Sequence, residues 1–253
     1  MKWLAAMIGV GAAGVMIGWA LRPETRSIPL RDAKPMAPPT PPPPPDVVTP
    51  VTPAVPISSA SSGPTSTEYD PVFVKYAGSI PVAYLRALAY RESGLKPHAT
   101  TNASNPNAAR GLLQVVGVVR EDYNRVHGTH YQPDDLWDTD INVKIAVDAL
   151  HRIMAAIGRH PSANLHPDWN NPEFVKLLTA AWNAGFSDSG GVGKVASYLE
   201  ARGMPVTHDA VIANASAAGA VSYVGNAQRA AWHRSVAELY FKQPDAGPPS
   251  RVV

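Results

Sequence analysis

Between Glu68 and Lys242 apolar residues recur every three or four positions, and no stretch alternates apolar with polar long enough to make a strand. The pattern predicts a mainly α domain. A first helix is expected from near Ser79 and Pro81, a cap followed by a first-turn proline, to Gly94. Further helices are expected over Leu112–Val126, over Ile141–Ile157 after Asp140, over Glu173–Ala184 after Asn171-Pro172, over Val192–Leu199 and over Val221–Phe241.

Before this region the pattern changes twice. Trp3 to Leu21 is an uncharged apolar run between Lys2 and Arg22, close to the ~20 residues that span a bilayer. Residues 1–22 therefore read as a signal sequence or a transmembrane anchor, a membrane contact in either case. Nine of the nineteen residues in the run are Ala or Gly, which makes it weakly hydrophobic, and more positive charge follows than precedes it. Residues 23–67 are rich in Pro, Ser, Thr, Val and Ala and include the run Pro41 to Pro45. Such a stretch has too little apolar surface to fold; it is expected to be a disordered, semi-rigid linker with a reach on the order of 100 Å. Residues 243–253 are expected to form a disordered tail, which leaves 68–242 as the folded domain.

The net charge of +2 arises entirely in the first 67 residues, and from position 68 onward 17 basic residues balance 17 acidic ones. A neutral domain argues against nucleic acid as a partner. The absence of cysteine excludes disulfides, cysteine-ligated zinc and a thiol nucleophile. Eight histidines are present, but no His-Glu-x-x-His occurs, and His127 and His130 flank Gly128 in a turn-like stretch. No metal and no cofactor is expected.

On the first predicted helix, Val82, Leu85, Leu88 and Ala89 share one face, and Glu92 continues it three residues after Ala89 and seven after Leu85. A carboxyl at the inner end of a buried stripe loses solvation, which raises its pKa and suits it to donate a proton near neutral pH. The alternative is that Glu92 turns outward at the helix end and pairs with Arg91 or Arg86.

Glu92-Ser93-Gly94, Gly111-Leu112-Leu113-Gln114, Ala181-Trp182-Asn183-Ala184-Gly185 and Ser222-Tyr223-Val224 follow one another in an order and spacing that resembles the soluble lytic transglycosylase family of lysozyme-like enzymes. Asp135-Leu136-Trp137-Asp138 with Asn142 looks like that family's lead into its next helix, and the resemblance covers roughly residues 70–235. It implies a lysozyme-like helical domain acting on peptidoglycan glycan strands, with Glu92 as the acid/base. It further implies that Gln114 and Asn183 line the sugar cleft with Ser93 and Thr101, and that Tyr223 hydrogen-bonds the catalytic carboxylate. Gly111 would let the backbone approach the glycan, and Gly185 would end its helix in a left-handed turn. Plainer roles stand beside these: Gln114 and Asn183 can satisfy backbone groups, and Tyr223 can be a core residue.

The chain also departs from the family's pattern. Trp182 stands where a Tyr is usual and Val116 where a Met usually contacts substrate. The loop between Pro97 and Gly111 is long, so that the polar residue expected there matches Thr101 or Ser104. The segment His160 to Asn171 has no counterpart. The implied reaction needs a single carboxylate, since a retaining or inverting hydrolase would place a second acid about 5–5.5 Å or about 6.5–9.5 Å away. Helix capping accounts for the nearest candidates in sequence, Asp138 and Asp140. A hydrolytic muramidase of the same fold and a non-catalytic wall-binding module remain open. So does the setting: wall remodelling, an envelope-spanning secretion or conjugation apparatus, or phage lysis. Each places the domain in the cell envelope facing the wall.

Overall fold

The computed structural model describes residues 66–220 and 224–247. The apolar run Trp3–Leu21, nearly all of the Pro-rich segment, Tyr223 and residues 248–253 lie outside the described residues. Within them, eight helices follow in order: α1 (Asp70–Ala77), α2 (Val82–Ser93), α3 (Gly117–His127), α4 (Thr139–Ile157), α5 (Pro172–Ala184), α6 (Gly191–Glu200), α7 (His208–Asn214) and α8 (Ala227–Phe241). A two-residue strand, β1 (Phe186–Ser187), and short 3-10 turns at Pro133–Trp137 and Ala163–Leu165 complete the set. Among the described residues no helix is long and apolar enough to cross a membrane.

Helix ends follow local chemistry. Asn171 caps α5 by accepting from Glu173 N–H, and Pro172 fills the first position, where no donor is needed. Asp138 caps α4 through Ile141 N–H at 3.0 Å. Gly94, at φ 63° and ψ 33°, closes α2 in the left-handed conformation. Ser79 does not cap α2. Pro81 occupies that position, and the Ser79 carbonyl instead accepts from the Trp169 indole at 3.0 Å.

Helix α5 is the axis of the domain. Ten of its thirteen residues are buried, including Leu177, Leu178, Trp182 and Asn183, as expected of a helix enclosed on all sides beyond its first turn. Helix α8 packs across both α2 and α5, while α4 and α6 cover other faces of α5. Where α2, α5 and α8 meet, Tyr84, Trp169, Phe174 and Tyr240 form an aromatic cluster. Thr179 Oγ1 donates to the Val175 carbonyl, so the Tyr84 hydroxyl donates to Thr179 at 3.1 Å.

Three expectations need correction. The helix expected over Leu112–Val126 begins only at Gly117. Residues 110–116 instead double back, with Arg110 and Val115 exchanging backbone bonds at 3.1 and 2.9 Å. Leu112, Leu113, Val115 and Val116 are buried because the loop itself packs into the core. The last helix starts not at Val221 but at Ala227, capped by Asn226. The expected tail is packed at its start: Gln243 is buried, its amide donates to the Ala83 carbonyl at 2.9 Å, and Asp245 pairs with Arg86. The short helices α1 and α7 were not expected.

Candidate active site

Leu85, Leu88 and Ala89 are fully buried on α2, and one turn further on Glu92 keeps only 8% of its surface exposed. The expected inward orientation holds. Arg86 is engaged elsewhere, with Asp70 and Asp245, and does not neutralise Glu92. From α5, the Trp182 indole donates to Glu92 Oε1 at 2.7 Å. Burial pushes the Glu92 carboxyl up to about 8, against the opposing pull of the Trp182 hydrogen bond and the positive charges of Arg229 and Arg91. Desolvation wins, and the group holds its proton at neutral pH.

Around the acid stand two further polar groups. Asn183, adjacent to Trp182 and fully buried, accepts from Arg229 of α8 through Oδ1 at 3.1 Å. Trp232, also on α8, donates to the Arg91 carbonyl at 3.4 Å, near the C-terminal end of α2. Helices α2, α5 and α8 thus bring Glu92, Trp182, Asn183 and Arg229 to one place.

The other expected residues are arranged differently. Gln114 is buried at φ 48°, and its amide donates to the carbonyls of Ala99 and Gly111 at 2.9 and 2.8 Å, so its nitrogen is committed to the loop. The Ser93 hydroxyl donates to the Ala89 carbonyl and accepts from Lys96 N–H. Thr101 is exposed, whereas its neighbour Thr100 bonds the Ala109 carbonyl. Gly111 serves the fold: a Cβ there would lie 2.2 Å from Asn142 Nδ2 and 2.3 Å from the Leu136 carbonyl. Gly185 does have positive φ, 77°, but its ψ of 169° is extended and not the left-handed helical turn expected.

Asp138 caps α4 as expected, while Asp140 does not. Its carboxylate accepts from Lys75 at 2.6 Å and Tyr76 at 2.5 Å, bonds that hold it below the usual carboxylate range. The charges that pull Glu92 downward are the guanidiniums of Arg229 and Arg91. Among the described residues no three His, Asp or Glu side chains converge as a metal site would require.

Sequence reasoning missed Trp182 as a partner of the acid, having treated it as a departure from a pattern, and it missed Arg229 altogether. Proximity of Trp182 to Asn183 in the sequence was a usable signal for the first. For Arg229 there was none.

The described residues thus place one buried, protonated carboxyl, Glu92, among α2, α5 and α8 of a mainly helical domain. The Transglycosylase SLT domain family matches residues 74–200, and the chain belongs to this family. Two similar solved structures are the 70 kDa soluble lytic transglycosylase of Escherichia coli (19% identity, TM-score 0.46) and a 70-kDa soluble lytic transglycosylase in complex with bulgecin A (19% identity, TM-score 0.48). Each match covers 73% of this chain and 26% of the other, so the chain spans about a quarter of those proteins' length. No curated protein sequence matches significantly.

Proposed function

We propose that this domain is a peptidoglycan lytic transglycosylase that cleaves the β-1,4 bond between N-acetylmuramic acid and N-acetylglucosamine. The observation that carries the reading is the placement of Glu92, a carboxyl buried at the end of α2 and hydrogen-bonded by an indole; that burial pushes it up to about 8 against the pull of two guanidiniums. Protonated Glu92 donates to the glycosidic oxygen as the bond from C1 breaks, and N-acetylglucosamine leaves with a hydroxyl. The Glu92 carboxylate then takes the proton of the muramoyl C6 hydroxyl as that oxygen bonds C1. The product ends in a 1,6-anhydro ring, and no water is consumed. A pKa about one unit above neutral suits both halves, because the acid is largely protonated at the start and still basic enough to recover the proton.

Asn183 and the oxygen of Gln114 supply acceptor and orienting groups to the sugar cleft in this reading, with Ser93, Thr101 and Tyr223 along it. The apolar N-terminal segment and the Pro-rich spacer would hold the domain in the envelope, within reach of the wall.

The test is digestion of purified peptidoglycan by the full chain and by Glu92→Gln, read by mass spectrometry. Anhydro-ended fragments from the native chain and none from the variant are expected. Reducing-end fragments would replace the mechanism with hydrolysis, undiminished turnover by Glu92→Gln would remove Glu92 from its role, and no cleavage by the native chain would leave a wall-binding module.

A further inference from the structure

The bond between Trp182 and Glu92 is asymmetric in a way that a bond from a hydroxyl would not be. An indole N–H can only donate. It donates to Oε1 at 2.7 Å, so Oε1 is committed as an acceptor in both protonation states of the acid. The carbonyl oxygen of a protonated carboxyl is its better acceptor, so the indole bond favours the proton on Oε2. Exchanging the two oxygens by rotation would leave the indole donating to the hydroxyl oxygen, a poorer acceptor than the carbonyl oxygen. Nor can the indole move aside easily, because Trp182 is fully buried in the last turns of α5, where every residue from Leu177 to Ala184 is buried.

We propose that Trp182 is the positioning residue of the acid, fixing the reactive proton on Glu92 Oε2 and holding the carboxyl in one rotamer through successive donation and recovery of that proton. This rests on the catalytic reading of Glu92 above. The tyrosine usual at this place can donate or accept, and so would tolerate either arrangement of the proton. Trp182 can only donate, which biases each turnover to start with the proton on Oε2. The same bond is stronger to the carboxylate than to the acid, which offsets part of the desolvation and keeps Glu92 able to ionise during the second half of the reaction.

The experiment compares the full native chain with Trp182→Phe and Trp182→Tyr. A third variant replaces Trp182 with 3-benzothienylalanine, which keeps the bicyclic shape and lacks the N–H, so the comparison survives if the smaller Phe fails to fold. Two readouts are taken: the pH profile of peptidoglycan cleavage, and the titration of the Glu92 carboxyl followed by carbon-13 NMR of glutamate-labelled protein, assigned with Glu92→Gln. Loss of the N–H should move the Glu92 titration and the alkaline limb of the profile upward by about one pH unit, the size expected of one hydrogen bond to a charged group. Cleavage at pH 7 should fall by about tenfold or more, with Trp182→Tyr recovering most of it. A titration and profile that coincide with the native ones in the benzothienyl variant would reduce Trp182 to a packing residue. Failure of the underlying reading has a different signature: Glu92→Gln would then cleave as well as the native chain, whatever the Trp182 variants do.

Discussion

Asn142, fully buried at the start of α4, accepts the backbone N–H of Leu113 at 2.8 Å across 29 residues of sequence. Its amide nitrogen donates to the carbonyls of Arg110 and Leu136 at 2.9 and 3.1 Å. One side chain therefore satisfies two backbone groups of the irregular 110–116 loop and ties them to a third in the Pro133–Trp137 turn. Asn142→Ala should cost about 2–4 kcal/mol in denaturant unfolding, because it strands buried donors and acceptors. Asn142→Asp should cost at least as much, since a carboxylate cannot donate to the two carbonyls. Gly111→Ala should be similarly damaging, through both the clash with Asn142 and a φ of 79°.

The acid that equips the site also weakens the fold. The folded pKa of Glu92 is raised, so no ionisation penalty applies while the group is protonated in both states, and the penalty grows as pH rises from about 4.5 through about 8. Glu92→Gln keeps an acceptor for Trp182 and cannot ionise. It should raise stability by about 1–3 kcal/mol at pH 7, with a gap over the native chain that widens between pH 5 and pH 8. Thermal unfolding across that range would show it.

His208 and His233 give the opposite slope at the acid end. Their rings meet at 3.1 Å, Nε2 to Nδ1, both buried between α7 and α8. Burial lowers both, His233 to about 3, with Arg229, Arg234 and Lys176 adding repulsion and Asp209 pulling His208 back up. Glu173 also faces the pair, accepting from His208 N–H. A folded pKa below the unfolded one means that stability is intact above about pH 6.5 and falls as pH drops toward 3, by about 1.4 kcal/mol per pH unit for His233, with His208 adding a loss of the same sign. His233→Gln should flatten the slope between pH 4 and pH 6 relative to the native chain. Denaturant midpoints measured through that range decide it.

Arg86 is the third dependence. It binds Asp70 through two bonds, at 3.0 and 2.7 Å, and meets Gln243 and Asp245 from beyond α8. Gln243→Ala should cost about 1–3 kcal/mol, since it removes partners from both Arg86 and the Ala83 carbonyl. Asp245→Ala should cost less than about 1 kcal/mol, its carboxylate being half exposed. Paired unfolding curves give the ranking.

What could be read from the sequence was what neighbours in sequence determine. The starts of α4 and α5 and the end of α2 lie within a residue or two of expectation, because Asp138, Asn171-Pro172 and Gly94 act on the backbone next to them. The inward face of Glu92 was legible for the same reason. The Leu112–Val116 loop was not, because an irregular segment folded into a core shows apolar residues at helical intervals by chance, and nothing marks the positive φ of Gln114. Contacts made by distant segments were also hidden. Trp182 lies 90 residues from Glu92, Asp140 answers to Lys75 rather than to its own helix, and the burial of Gln243 depends on Arg86 and Ala83.

Asp70 and Asp245 converge on one guanidinium, so the described domain begins and ends at nearly the same point in space. The path of its described chain closes on itself at Arg86, about 9 Å along α2 from Glu92 at 1.5 Å per residue. A closed path of this kind can be cut and rejoined. Linking the two ends with a short glycine-rich bridge and opening the exposed loop near Gly203 would give a permuted chain with the same acid in the same place. By the same geometry, cargo fused at either end would depart from one side of the domain.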